Sequence, residues 1–233
     1  MSIWDWVQRS GWEAQVEGGE KARLYPLFQE AMELEKRDPE GGIAMLEQAV
    51  ALAKRVREPW WELFYEHWKL QNTVFKQRDF KTSLPCAVRC TVEARKPIYA
   101  HFPQRVCLHE DLITCYVAID PVGYAPLIRD ALDYMDKEIA PGVECRGCHY
   151  ELRADFLAAT SDPDALKAAF EFLRVCEEED DGFHYAYGCA LLCRVLYLHA
   201  PEDARRLIGD IAKDGEELAR RLKMTDILPD MMM

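Results

Sequence analysis

The chain is poor in the features that define several large protein classes. It has no run of about 18 apolar residues, the length a helical membrane span needs. The longest candidate, 189–200, is interrupted by Arg194 and His199. No export signal opens it: Asp5 comes early, no Lys or Arg precedes an apolar run, and no small-residue cleavage site follows. A cytoplasmic protein without membrane contact is expected. Basic residues are also in deficit, 29 Lys plus Arg against 41 Asp plus Glu, for a net charge of -12. Affinity for nucleic acid comes largely from neutralising phosphates, so this balance argues against a nucleic-acid partner. Alternating β-branched runs are missing, and with them the signal for strands.

Catalytic signatures are equally scarce. There is no phosphate-cradling glycine loop, nucleophile elbow or kinase motif set. His109-Glu110-Asp111 lacks the second His of a metalloprotease helix. Cys107 and His109 are two apart, which points them to different helix faces. The run from Glu177 to Asp181 lacks the alternation and glycine of a calcium loop, and reads as a solvated helix end. Gly and Pro, 12 each in 233 residues, are too few for a fibrous or low-complexity chain. With 49% hydrophobic and 11% aromatic residues, the composition is that of a folded protein able to bury a core unaided.

What the sequence has is helical periodicity. Apolar residues recur three and four apart almost throughout. Breakers fall at intervals: Asp38-Pro39, Glu58-Pro59, Lys96-Pro97, Asp120-Pro121, Pro141-Gly142, Asp162-Pro163, Asp181-Gly182 and Ala200-Pro201. Pro suits a first helical turn and disfavours helix in the residue before it, and an Asp there can cap the helix that follows. The breaks predict helix pairs at 22–37 with 40–56, 60–77 with 80–95, 102–119 with 122–139, 144–160 with 163–178, and 183–199 with 202–222. A period near 40 marks an α-solenoid. Trp61, Phe64, Tyr65, Trp68 and Phe75 form one broad apolar face. Residues 1–21, with Trp4, Trp6 and Trp12, read as a capping helix or a docking segment, 22–222 as one helical domain, and 223–233 as a frayed tail.

These features resemble the tetratricopeptide-repeat superfamily. The resemblance rests on Trp61 to Trp68 opening a first helix, on Asp79-Phe80-Lys81 opening a second, and on Pro97 closing the unit. Small residues Gly42, Ala49, Ser83 and Cys90 recur seven apart at the helix contacts. The units are longer than the family's 34 residues. The resemblance implies an all-α, right-handed superhelix of about five antiparallel helix pairs, whose first helices line a concave groove.

On that basis the expected function is non-enzymatic: a scaffold or adaptor that holds a protein or peptide partner, without a cofactor. Candidate groove residues are Trp60, His67 and Gln71 on the second pair and Arg105, His109 and Tyr116 on the third. Arg153 on the fourth and His184 with Tyr187 on the fifth complete the set. Aromatic, Arg and His side chains are the types that anchor partners. Two alternatives stay open, a regulator that senses a small peptide or metabolite and a metal- or thiol-dependent protein.

The nine cysteines bear on the last. An odd count in a reducing compartment suggests free thiols packed as small hydrophobes. Cys86 with Cys90, and Cys189 with Cys193, share helix faces as core pairs. The Cys145-Arg146-Gly147-Cys148-His149 string matches a c-type haem attachment pattern, but that chemistry requires export. Cys145 and Cys148, with His149 and with His184 one repeat on, could instead converge on a metal. No second CxxC completes the set. The charge is uneven: residues 1–116 carry 16 basic and 17 acidic groups, residues 117–233 carry 13 and 24. A basic stretch at 69–105 should meet acidic groups of a partner, and the acidic back half basic ones.

Overall fold

The computed structural model describes residues 3–139, 146–199 and 207–224. All regular structure among them is helical. The α-helices are α1 (Ile3–Glu17), α2 (Leu24–Glu35), α3 (Pro39–Val56), α4 (Pro59–Gln71), α5 (Phe80–Ala94), α6 (Cys107–Ile119), α7 (Ala125–Glu138), α8 (Arg146–Ala159), α9 (Ala165–Glu178), α10 (Gly182–His199) and α11 (Leu207–Leu222). No helix among the described residues is long and apolar enough to cross a membrane.

The breakers act as their chemistry dictates. Asp38 accepts from the Gly41 amide at 3.0 Å while Pro39 opens α3, and Asp79 caps α5 through the Thr82 amide at 3.2 Å. At the other end of α3, Arg57 takes a left-handed φ of 59° that terminates the helix. Gly42 lets α3 close on α2, since a Cβ there would lie 2.9 Å from the Glu35 Cβ.

The chain divides into two compact units, Met1–Cys115 and Tyr116–Met233. In the first, α1 packs on α2, α2 on α3, α3 on α4 and α4 on α5. Its centre is aromatic: Trp6 of α1 is buried 5.1–6.0 Å from Trp60, Trp61, Phe64 and Phe102. The N-terminal helix is therefore part of this core, although Trp4 and Trp12 stay exposed. Phe75 departs from the expected apolar face and is exposed. The helix widens into a π-helical turn at Asn72–Lys76, and the extra residue rotates Phe75 away from the line of Trp61 and Trp68.

In the second unit α7 packs on α8, α8 on α9, α9 on α10 and α10 on α11, and α8 also meets α10. Small residues Ala154, Ala158, Ala165, Ala168 and Ala169 pack around Phe172, Leu192 and Val195. Met224, expected in a frayed tail, is buried with Ala186, Cys189 and Ala219. The rest of that tail, 225–233, lies outside the described residues.

Candidate functional site

Three of the candidate groove residues of the second and third pairs, His67, His109 and Tyr116, are buried rather than on a surface. His67 is 4% exposed and His109 is fully buried, and Tyr116 is buried against Tyr124 at 4.5 Å. The stripes expected on α4 and α6 face one another instead. Gln71 donates to Asp111 Oδ1 at 2.7 Å, and His67 Nε2 lies 3.6 Å from Asp111 Oδ2. Burial holds the His67 pKa down at about 4 and pushes the Asp111 carboxyl well above its usual value, so the site disfavours charge on both groups. His109 sits with Nδ1 2.9 Å from the Arg105 carbonyl, which fixes the proton on Nδ1 and leaves Nε2 to accept from Arg95 at 3.3 Å. Arg105 is half-buried and donates to the Ala100 carbonyl at 2.8 Å. Trp60 donates to the Ile98 carbonyl at 2.9 Å and, with Trp6, Arg9, Glu13 and Lys21, lines a cavity of about 260 Å³. Lys21 there is already paired with Glu17 at 2.7 Å and Glu58 at 2.5 Å.

The second unit does bring predicted residues together. Asp181 starts α10 and accepts the His184 amide on Oδ1 at 3.1 Å. Its other oxygen, Oδ2, lies 2.6 Å from His184 Nδ1. A carboxylate only accepts, so Nδ1 carries the proton and Nε2 is turned outward. Across from it, Cys148 Sγ of α8 is 3.3 Å from Nε2. Glu151, one turn further along α8, has Oε2 at 3.9 Å from the same nitrogen. Gly147 permits the approach: a Cβ there would stand 3.3 Å from the His184 ring. Burial opposes charge on His184, but the Asp181 carboxylate and the Cys148 sulfur outweigh it and raise its pKa to about 11. The hydrogen bond from His184 in turn holds Asp181 below its usual value.

This is a thiol–imidazole–carboxylate relay. With its pKa raised to about 11, His184 is the cation of the set at neutral pH: Nδ1–H donates to Asp181 and Nε2–H points at the Cys148 sulfur, where it favours the thiolate form. The same orientation suits a soft metal ligated by Sγ and Nε2, with the carboxylate fixing the imidazole. His149 does not join in. Its ring is placed by α7, near Asp136 and the Leu132 backbone, and burial lowers its pKa. Cys145 lies outside the described residues. The eight described cysteines are thiols.

Asp181 and Glu151 were not among the expected site residues. The signal for Asp181 was present, since an Asp three residues before a His at a helix start has the spacing of a cap that can also reach the ring. Arg153 and Tyr187 stay on or near the surface. Arg153 lies 3.8 Å from Glu171, and Tyr187 packs 5.3 Å from the half-exposed Phe183. No protein-family model, curated protein or solved structure matches the chain.

Proposed function

We propose that the chain is a binding module of the tetratricopeptide-like kind, a right-handed α-solenoid of helix hairpins that holds a protein or peptide partner in the cytoplasm. Helix order supports the solenoid: each helix packs on the next from α1 to α5 and from α7 to α11, and α8 also packs on α10, as successive first helices of such repeats do. The observation that carries the binding role is on α10. Phe183 is 50% exposed, with Tyr187 and His184 rings 5.3 and 5.4 Å from it. Aromatic side chains are the type that anchors a partner, and α10 follows directly on the carboxylates Glu177 to Asp181. The fitting partner is a basic segment carrying an apolar anchor.

The test is capture from native lysate by the full chain and by a Phe183→Ser/Tyr187→Ser variant. A defined protein held by the wild type and depleted by roughly tenfold in the variant (~1.4 kcal/mol) supports the reading. Capture that is absent, or equal in both, contradicts it.

The second reading is a thiol-dependent protein, and the relay at Cys148 favours it. There the module's occupant would react with, or be sensed by, the thiolate.

A further inference from the structure

A second thiol cluster lies in the first unit, far in sequence from Cys148. Cys86 and Cys90 stand one turn apart on α5, with their sulfurs 4.0 Å apart. Glu66 of α4 reaches the same point, and its Oε2 is 3.6 Å from the Cys86 sulfur. All three ligand atoms lie within 4.8 Å of one another. A tetrahedral zinc ion, with sulfur at about 2.3 Å and carboxylate oxygen at about 2.1 Å, sets edges of roughly 3.8 Å for S···S and 3.6 Å for S···O. The S···S and the Cys86 S···O spacings lie within a few tenths of an ångström of those values. Core packing explains a buried Cys90, and ion pairs with Lys69 and Arg89 hold the Glu66 carboxylate at the thiol pair.

We infer that Glu66, Cys86 and Cys90 form a three-ligand site for a zinc-class divalent ion, with its fourth position open. The donor set of two thiolates and one carboxylate selects a borderline-soft ion over calcium or magnesium. Beside it lies a cavity of about 160 Å³ lined by Glu66, Arg89, Cys90, Leu63, Glu93 and Tyr99. The cavity has room for a water or a small ligand in the fourth position.

Two cations adjoin the cluster, and both fit the outer ring of such a site. Lys69 binds Glu66 Oε2 at 2.9 Å and keeps the carboxylate ionised. Arg89 donates to the Cys86 sulfur at 3.0 Å and lies 3.4 Å from Glu66 Oε1. A guanidinium donating to a thiolate ligand stabilises its negative charge. The Arg89 side chain is mostly exposed and can turn outward as the ion enters. Two thiolates and a carboxylate carry three negative charges, and one dication with Lys69 and Arg89 carries four positive ones, so the loaded cluster has a net charge of about one positive unless Arg89 turns away.

The experiment is titration of the reduced full-length chain with Co²⁺, followed by its thiolate charge-transfer and d–d absorption. One equivalent bound with the intensity of a tetrahedral thiolate site is expected. Cys86→Ser and Cys90→Ser should each abolish that spectrum, Glu66→Gln should weaken binding roughly tenfold or more, and Cys193→Ser, in the second unit, should leave it unchanged. Zn²⁺ should displace the Co²⁺ signal. Absence of the thiolate band in wild type overturns the inference, and so does a band that survives in Cys86→Ser or vanishes in Cys193→Ser. Should Cys90→Ser fail to fold, Cys86→Ser and Glu66→Gln decide, with circular dichroism confirming that they remain helical.

Discussion

Asp181 does two things at once, capping α10 and orienting His184 toward Cys148. Its loss should therefore show in the chemistry of a different residue. Alkylation of Cys148 by iodoacetamide at pH 6.5, followed by peptide mass spectrometry, should be about tenfold faster in wild type than in Asp181→Asn or His184→Gln. Equal rates would mean the thiol is not paired with the imidazole. Because the folded pKa of His184 is raised to about 11, its contribution to stability is complete below its unfolded value near ~6.5 and is lost as pH climbs toward 11. His67 has the opposite sign. With a folded pKa of about 4, it stays neutral where the unfolded chain takes a proton, so stability falls as pH drops from about 6.5 toward 4. Melting temperature between pH 7 and 5 should fall less in His67→Gln than in wild type. Residue types were legible from the sequence, and the assumed repeat shift put His184 beside Cys145, whereas the thiol it meets is Cys148. Partners such as Asp181 and Glu66 were not legible, because a carboxylate's role depends on which neighbour its helix start or facing helix supplies.

At the scale of the element, caps and small residues carry the fold. Gly42→Val would drive a branched side chain into Glu35 and should cost about 1–3 kcal/mol in denaturant unfolding. Trp6→Ala removes the ring around which α1 and α4 pack, and should cost about 3–5 kcal/mol. An unchanged midpoint in the second variant would place α1 outside the core. Helix positions were largely readable from Pro and Asp punctuation, with α3 beginning at Pro39, one residue before the expected start, and α5 following Asp79 as expected. The orientation of each face was less readable. Period alone cannot distinguish a stripe that lines a groove from one that packs on the next first helix. His67, Gln71 and His109 belong to the second kind.

At the scale of the molecule, the charge of -12 is concentrated: the first unit is nearly neutral, while the second carries 13 basic against 24 acidic groups. A partner met by the second unit should be basic, and its binding should weaken steeply as salt is raised from low to physiological strength. A salt-independent complex would assign the binding to the apolar anchor alone. The most direct measurement of the binding role is a peptide array of mixed charge probed with the full chain and with the Phe183→Ser/Tyr187→Ser variant. The account predicts that bound peptides combine Lys or Arg with a large apolar residue, and that the variant loses them. Binding that favours acidic peptides, or that is the same for both proteins, would contradict it.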